Sequence, residues 1–244
     1  MNSANICDSL YTAAYVVTQN DGRDIIENGA IAVGGNRILC VGHTDILEIL
    51  YPDARRVDLG NAVLMPGLIN AHTHVPMSLL RGYSDDKALM DWLTKDIFPQ
   101  EAKLTPELVE LGARFSLAEM IRSGTTAFYD MYMIEDAVFR AADSMGMRAV
   151  LGESTTRYFP SLSCKDKDAY FELVRAQAET WRNHPRIRQA IVPHAPYTTS
   201  PELLRECYSL AEENGALFGM HLAETENETQ TCLKEFGMRP IPYC

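Results

Sequence analysis

Two histidines separated by one residue close an apolar run in the first third of the chain. His72 and His74 follow residues 63–71, which read as a strand. Side chains at positions i and i+2 of a strand point to the same face, so both imidazoles are expected at its carboxyl end, where α/β proteins place their sites. Neutral imidazole is a good ligand for zinc and similar metals. The pair predicts half of a metal site; two histidines in a polar turn are the alternative interpretation.

Two further histidines occupy the same kind of position. His194 and His221 each end an apolar run, so four of the six histidines in the chain fall at the carboxyl ends of predicted strands. Random placement rarely does this. Three neutral imidazoles with an open fourth position bind a divalent ion and lower the pKa of a bound water to roughly 7.

A carboxylate follows the last of these histidines. Glu224 lies three residues after His221 and is predicted to take a proton from the water and pass it to a leaving group or a ring nitrogen. The alternative interpretation is an acidic residue near a helix start, where the helix dipole favours negative charge.

The segments around these residues divide the chain into two predicted domains. Residues 1–62 alternate short β-rich runs with Gly and Asn turns, which predicts a small antiparallel sheet. Residues 63–244 alternate five apolar strands with helices, typical of a parallel α/β fold. Helix starts are predicted at Thr105, Ser200 and Thr225, the last with Glu228 as its capping-box partner.

Two architectures of this parallel sheet are compatible with the chain length. A (β/α)₈ barrel takes about 250 residues, and only about 182 follow residue 62, so five of its eight strands would be present. A five-stranded doubly wound sheet fits the length without truncation.

Composition narrows the range of partners. The chain has 33 acidic and 22 basic side chains, a net charge of -11 and no Lys/Arg-rich run, which argues against nucleic acid and anionic membranes. No apolar stretch of about 18 residues and no signal sequence occurs, and the six scattered cysteines are typical of free thiols in a reducing compartment. We therefore expect a cytoplasmic protein with small-molecule partners.

Three motifs together resemble a known family. The run PGLINAHTH at residues 66–74, HAPY at 194–197 and HLAE at 221–224 resemble the amidohydrolase superfamily. The longer strings HTHVPMSLLRG, HAPYTTSPELL and HLAETENE are similar to its 5′-methylthioadenosine/S-adenosylhomocysteine deaminase branch. The resemblance extends over essentially the whole chain.

This resemblance implies a (β/α)₈ barrel with one divalent metal, usually zinc, and a small β-sandwich built from both chain termini. It assigns His72, His74 and His221 as metal ligands and Glu224 as the proton shuttle. It also implies two substrate-binding residues, His194 beside the metal and Glu101 as acceptor of hydrogen bonds from ribose hydroxyls. Metal identity stays open, because imidazole-rich sites also accept iron, manganese and nickel.

The pattern of the family is incomplete here. Its members add a histidine after strand six and an aspartate after strand eight, and the sequence ends at Cys244 before either. We therefore expect the N-terminal portion of a longer polypeptide, or a truncated product. Arg157 is a candidate for a substrate carboxylate, although Glu153 nearby would oppose it.

The leading functional prediction is metal-dependent deamination of a purine nucleoside, namely adenosine, 5′-methylthioadenosine or S-adenosylhomocysteine. A second enzyme of the superfamily, acting on guanine, a triazine or a related heterocycle, is the alternative. A third hypothesis is that the chain is not an enzyme by itself but a catalytically incomplete fragment that binds metal or a partner chain. The resemblance also allows a homo-oligomer, which nothing in the residues themselves indicates.

Overall fold

The computed structural model describes residues 6–157 and 163–244. The chain divides into two compact units, Met1–Gly67 and Leu68–Cys244. The predicted domain division at residue 62 stays a prediction. No helix within the described ranges is long and apolar enough to span a membrane.

The first unit is a mixed sheet with the strand order β3-β2-β1-β4, and β5 also pairs with β1. Its strands are β1 Ser9–Val17, β2 Ile25–Gly34, β3 Arg37–His43, β4 Arg55–Asp58 and β5 Val63–Leu64. The prediction of a purely antiparallel sheet is wrong, because β4 and β5 both run parallel to β1. A short helix, α1 (Thr44–Leu50), stands where the sequence predicted a turn, and its crossover allows the chain to return in the parallel direction.

The predicted strand over residues 63–71 is two strands. Val63–Leu64 pairs with β1, whereas β6 (Leu68–Thr73) pairs with β7. Pro66 lies between them and has no N–H for a β ladder, so one continuous strand is interrupted there.

The second unit contains a five-stranded, all-parallel sheet in the order β10-β9-β8-β7-β6. Its strands are β6 Leu68–Thr73, β7 Thr125–Tyr132, β8 Arg148–Thr155, β9 Ile187–Pro193 and β10 Leu217–Phe218. Consecutive strands are neighbours throughout, as in a β/α barrel, whereas a doubly wound sheet reverses its order at a switch point. The doubly wound alternative is therefore wrong for the described sheet. Strand β10 spans two residues, and beyond it the N–H groups of Gly219 and His221 donate to the carbonyls of Ile191 (3.1 Å) and His194 (2.8 Å).

Helices connect these strands. They are α2 Leu89–Trp92, α3 Phe98–Glu101, α4 Pro106–Arg122, α5 Glu135–Ser144, α6 Lys167–Trp181, α7 Pro201–Asn214, α8 Glu226–Phe236 and α9 Pro240–Tyr243. A π-helical turn, Leu93–Ile97, joins α2 to α3, and a 3₁₀ helix, Val75–Leu80, follows β6. The predicted caps are confirmed, since Thr105, Ser200 and Thr225 accept the N–H groups of Leu108, Leu203 and Glu228.

The largest apolar core of the second unit lies between α4, α5 and the sheet. Leu117 of α4, Phe128 of β7, Phe139 of α5 and Leu151 of β8 are all buried there. A second cluster joins α6 and α7 to β9 through Tyr170, Leu203 and Ile191 among others. These contacts hold the carboxyl ends of the strands in place.

A buried carboxyl fixes the start of α5. Glu153, 1% exposed in β8, accepts hydrogen bonds from the backbone N–H groups of Ile134 (3.1 Å) and Glu135 (2.8 Å). Burial raises the pKa of Glu153 to about 7, although these N–H donors and the Ser163 hydroxyl oppose the shift. This carboxyl therefore binds its proton more tightly in the folded protein than in the unfolded chain.

We predict that Leu117→Ala lowers the free energy of unfolding by about 2–5 kcal/mol, because it leaves a cavity in the largest core. Leu111→Ala in the same helix is the matched control, since Leu111 is 57% exposed, and should change stability by less than about 0.5 kcal/mol. Urea titrations measure both. Equal losses in the two variants would contradict the assignment of Leu117 to the core.

We predict that Glu153→Gln flattens the pH dependence of stability. Between pH 4.5 and about 7 the folded state holds more protons than the unfolded state, so the free energy of unfolding falls as pH rises. Glutamine cannot lose a proton, so the slope should become less negative by up to about 1.4 kcal/mol per pH unit. A residual slope remains, since burial also raises the pKa of Asp130 to about 7.

The exposed Glu172 of α6 provides the control for this measurement. Glu172→Gln should leave the slope between pH 4.5 and 7 as in the wild type, and the unfolding free energies are compared by urea titration at several pH values. An unchanged slope in Glu153→Gln would show that the Glu153 carboxyl titrates alike in the folded and unfolded states.

Candidate metal centre

Three histidine rings meet at the carboxyl end of the parallel sheet. The Nε2 atom of His221 lies 3.2 Å from that of His72 and 3.1 Å from that of His74. One ligand nitrogen from each ring lies within 4.8 Å of the others. Tetrahedral Zn–N bonds of about 2.0–2.1 Å separate two ligand nitrogens by about 3.3 Å. The spacing of these nitrogens therefore fits a single divalent ion.

This convergence requires a curved sheet. His72 is in β6 and His221 follows β10, and these strands form opposite edges of the five-stranded sheet. Four inter-strand spacings in a flat sheet would separate the edges by about 19 Å. Two imidazoles cannot span that distance and approach to 3.2 Å. The sheet is thus curled toward the histidines, as half of a barrel would be.

Backbone carbonyls orient two of the rings. The Nδ1 atom of His74 lies 2.6 Å from the Met131 carbonyl, and that of His221 lies 3.2 Å from the His194 carbonyl. A carbonyl only accepts, so each Nδ1 carries a proton and each Nε2 keeps its lone pair. This is the tautomer that a metal ligand needs, with its outer nitrogen held by a hydrogen bond.

Burial keeps these imidazoles neutral. It lowers the pKa of His74 to about 4, and the neighbouring His221 and His72 lower it further while the bond to Met131 opposes the shift. Burial likewise lowers the pKa of His221. Neutral rings are the form that coordinates a metal, so the site is ready to bind a cation at neutral pH.

A cavity of about 300 Å³ opens beside the histidines and includes Glu224 in its wall. The Glu224 carboxylate accepts a hydrogen bond from the Tyr197 hydroxyl at 2.9 Å. Glu224 is exposed and lines the same cavity as the three histidines.

Glu228 supports the turn that carries Glu224. Its two carboxylate oxygens accept the backbone N–H groups of Ala223 and Glu224, both at 2.9 Å. Ala223 has φ of 57°, a left-handed conformation that an alanine adopts at a cost. The predicted capping box is therefore only half present: Thr225 caps α8, but the Glu228 side chain bonds to two residues ahead of Thr225 rather than to Thr225 itself.

His194, one of the two predicted substrate-binding residues, lies next to the histidines. His194 has its ring centroid 4.9 Å from that of His221, and its Nδ1 atom lies 2.9 Å from the Thr198 hydroxyl. Burial lowers the pKa of His194 to about 4, with the nearby His221 and His74 adding to the shift.

Glu101 is 6% exposed and accepts a hydrogen bond from the Tyr132 hydroxyl at 2.7 Å. The Tyr132 ring is 6.3 Å from that of His74, so one side chain separates Glu101 from the metal centre. Burial raises the pKa of Glu101, against the Tyr132 hydrogen bond.

Arg157, the candidate for a substrate carboxylate, is the last described residue before the gap at 158–162. Its backbone N–H donates to the Thr198 carbonyl at 2.8 Å. The Glu153 carboxyl, which was predicted to oppose the role of Arg157, is buried and accepts hydrogen bonds from Ile134 and Glu135 at the start of α5. Its effect on Arg157 stays a prediction.

Sequence reasoning missed the residues that support the centre. Tyr197 lies in the HAPY motif, Asp130 closes the predicted strand GTTAFYD, and Tyr132 follows two residues later. The only signal for them was their position at strand ends. Neither spacing nor residue type indicates which polar side chain will contact Glu224 or Glu101 across more than 25 residues.

Residues 63–241 match the amidohydrolase family. The chain is 53% identical over 238 residues to a 5-methylthioadenosine/S-adenosylhomocysteine deaminase of Nitratidesulfovibrio vulgaris strain Miyazaki F. That alignment covers 98% of this chain and 54% of the relative, so the chain spans about half the length of the relatives it matches.

Two solved structures have the same fold. An adenosine deaminase from Xanthomonas campestris with bound zinc superimposes with a TM-score of 0.87 at 33% identity, covering 97% of this chain and 54% of its own. The zinc complex of an atrazine chlorohydrolase from Arthrobacter aurescens has a TM-score of 0.85 at 20% identity, covering 96% of this chain and 57% of its own. At that identity the second likeness shows the fold alone. By the match over residues 63–241, the chain belongs to the amidohydrolase family.

Proposed function

We propose that this chain provides the metal-binding side of a hydrolase that deaminates adenine nucleosides or their thioether derivatives. The observation that carries the proposal is the meeting of His72, His74 and His221 beside Glu224. Similarity to proteins named as 5-methylthioadenosine/S-adenosylhomocysteine deaminases and as adenosine deaminase supports the substrate class.

In this proposal His72, His74 and His221 hold one divalent ion through their Nε2 atoms, with zinc as the metal. The ion supplies activation of a water molecule near neutral pH. Three nitrogen ligands leave room for further ligands from the rest of the polypeptide. The half-barrel is proposed to become a (β/α)₈ barrel, because Ile69 of the edge strand β6 is 74% exposed and Leu217 of the edge strand β10 is 56% exposed. The first unit is proposed to be part of a small β-sandwich.

Glu224 is the proposed proton shuttle. Its carboxylate takes a proton from the attacking water and delivers it to the purine ring nitrogen beside the amino-bearing carbon. A C–O bond forms at that carbon, and the remaining hydroxyl proton of the added water passes to the amino group. The C–N bond then breaks, ammonia leaves, and a carbonyl remains at the carbon. Tyr197 holds one carboxylate oxygen of Glu224 at 2.9 Å, and Glu228 fixes the backbone on which Glu224 stands. The shuttle is thereby oriented toward the histidines before a substrate enters.

His194 and Glu101 are the proposed substrate contacts. His194 is a neutral imidazole beside His221 and would contact the substrate near the reacting carbon. Glu101 is a buried carboxyl that would accept hydrogen bonds from the two ribose hydroxyls, with Tyr132 holding it in place. A bare heterocycle has no diol to occupy Glu101, so this residue favours nucleosides over guanine or triazines.

We expect the natural full-length polypeptide, loaded with zinc, to release ammonia from adenosine, 5′-methylthioadenosine or S-adenosylhomocysteine and not from guanine or cytosine. Glu224→Gln should lower kcat by about 10²–10⁴-fold while zinc stays bound, because only the proton transfer is lost. Coupled ammonia assays and metal analysis measure both. Bound zinc with no ammonia released from any substrate would favour the non-catalytic hypothesis. Ammonia released from guanine alone would favour the alternative that the substrate is guanine, a triazine or a related heterocycle.

We predict that Glu101→Gln lowers kcat/KM for adenosine by about 10–100-fold, since a charged acceptor for the ribose hydroxyls becomes neutral. Gln retains an oxygen for the Tyr132 hydroxyl, so the local packing is preserved. The matched control is 2′,3′-dideoxyadenosine, which lacks the diol and should be affected less than about twofold. An equal loss of kcat/KM for both nucleosides would contradict the proposal that Glu101 binds the ribose hydroxyls.

A further inference from the structure

The ladder between β6 and β7 is interrupted beside the two histidines of β6. After a first shift between Leu68 and Ile69, pairing reaches Asn70 opposite Phe128 and then shifts again before Thr73 opposite Asp130. His72 lies inside the interrupted stretch and His74 lies just beyond the end of β6. Backbone pairing alone therefore does not hold these two rings in register, and other groups must do so.

One buried carboxyl supplies the missing hydrogen bonds. Asp130 is 0% exposed, and its Oδ1 atom accepts the Thr73 hydroxyl and, at 2.8 Å, the backbone N–H of Val75. Thr73 lies between the two histidines and Val75 follows the second. The Oδ1 atom of Asp130 thus accepts hydrogen bonds from the residue before His74 and from the residue after it.

The neighbours of Asp130 act on the same segment. The Tyr129 carbonyl is 2.8 Å from the Thr73 hydroxyl, and the Met131 carbonyl accepts the Nδ1 proton of His74 at 2.6 Å. On the opposite side the Ser116 hydroxyl of α4 donates to the Val75 carbonyl at 2.8 Å. Asp130 supplies a side-chain acceptor to this set, whereas Tyr129 and Met131 supply backbone carbonyls.

A second buried carboxyl lies against Asp130. Glu135 is also 0% exposed, and burial raises the pKa of Glu135 well above its usual range, with the charge of Asp130 adding to the shift. The Oδ2 atom of Asp130 and both carboxyl oxygens of Glu135 have no hydrogen-bond partner among the described residues. The Oδ1 atom of Asp130 is therefore the oxygen through which this carboxyl bonds to the histidine segment.

We propose that Asp130 is a positioning residue of the metal centre, which sets the spacing of His72 and His74 through its hydrogen bonds to Thr73 and Val75 and does not itself bind the metal. The inference rests on the proposed function for the identity of the metal ligands. It assigns to the buried carboxyl of β7 a role that extends beyond support of the core.

Zinc affinity is the direct measurement, obtained by competition with a chromophoric chelator using the natural full-length protein. Asp130→Ala should weaken zinc binding about 10–100-fold, the usual cost of losing a group that orients metal ligands. Asp130→Asn should lose less, because its amide oxygen still accepts from Thr73 and Val75. Thr73→Val, which leaves Asp130 in place and removes the hydroxyl, should weaken binding several-fold.

Glu153→Gln is the matched control. Glu153 is equally buried and stands in the adjacent strand, but its carboxylate bonds to Ile134 and Glu135 rather than to the histidine segment. This variant should keep zinc affinity within about twofold. The visible spectrum of the cobalt-substituted protein should change in Asp130→Ala and stay unchanged in Glu153→Gln, because that spectrum reports ligand geometry.

The outcomes separate the two proposals. Wild-type binding of zinc with unchanged affinity in Asp130→Ala, or equal losses in Asp130→Ala and Glu153→Gln, would overturn the positioning role and leave the metal centre standing. Absence of zinc binding in the wild type would overturn the proposed metal centre and the positioning role with it. If Asp130→Ala does not fold, unchanged zinc affinity in Thr73→Val overturns the positioning role.

Discussion

The approach of three imidazole nitrogens to 3.1–3.2 Å is the constraint on which the second unit depends. Such rings can lie together only if they are neutral, oriented with lone pairs inward, and carried by strands whose ends meet. The parallel sheet meets the last condition by curling until its two edge strands bring His72 and His221 together. Leu117 of α4 and Phe139 of α5 pack in one buried cluster with Phe128 and Leu151 of that sheet.

Orientation comes from carbonyl groups rather than from the histidines themselves. Met131 and His194 each accept an Nδ1 proton, and both carbonyls lie at the carboxyl ends of strands. Burial keeps the rings uncharged, as the lowered pKa of His74 indicates. The same backbone that forms the sheet therefore also selects the tautomer, which is why a metal site at this end of a parallel sheet needs few additional polar side chains.

Buried carboxyls connect the site to its scaffold. Glu228 holds the left-handed turn at Ala223, Glu153 holds the start of α5, and Asp130 holds the segment of β6 that carries the histidines. Each accepts backbone N–H groups that the regular ladders and helices leave without partners, so its burial is compensated by hydrogen bonds. A carboxyl group suits these points because its oxygens can accept hydrogen bonds from two donors at once.

The break at Pro66 and the short helices α2, α3 and α9 were not predicted. Local patterns in the sequence predicted the other strands and the long helices of the second unit, the caps at Thr105, Ser200 and Thr225, and the histidines that meet at the strand ends. These follow from local rules of periodicity, side-chain direction and capping, which operate within a few residues. Tertiary structure alone decided the sequential strand order, the parallel pairing of β4 and β5 with β1, and the contacts of Asp130, Tyr132, Tyr197 and Glu228. Those features depend on partners distant in sequence or on the path of the backbone at a turn, and local patterns do not specify either.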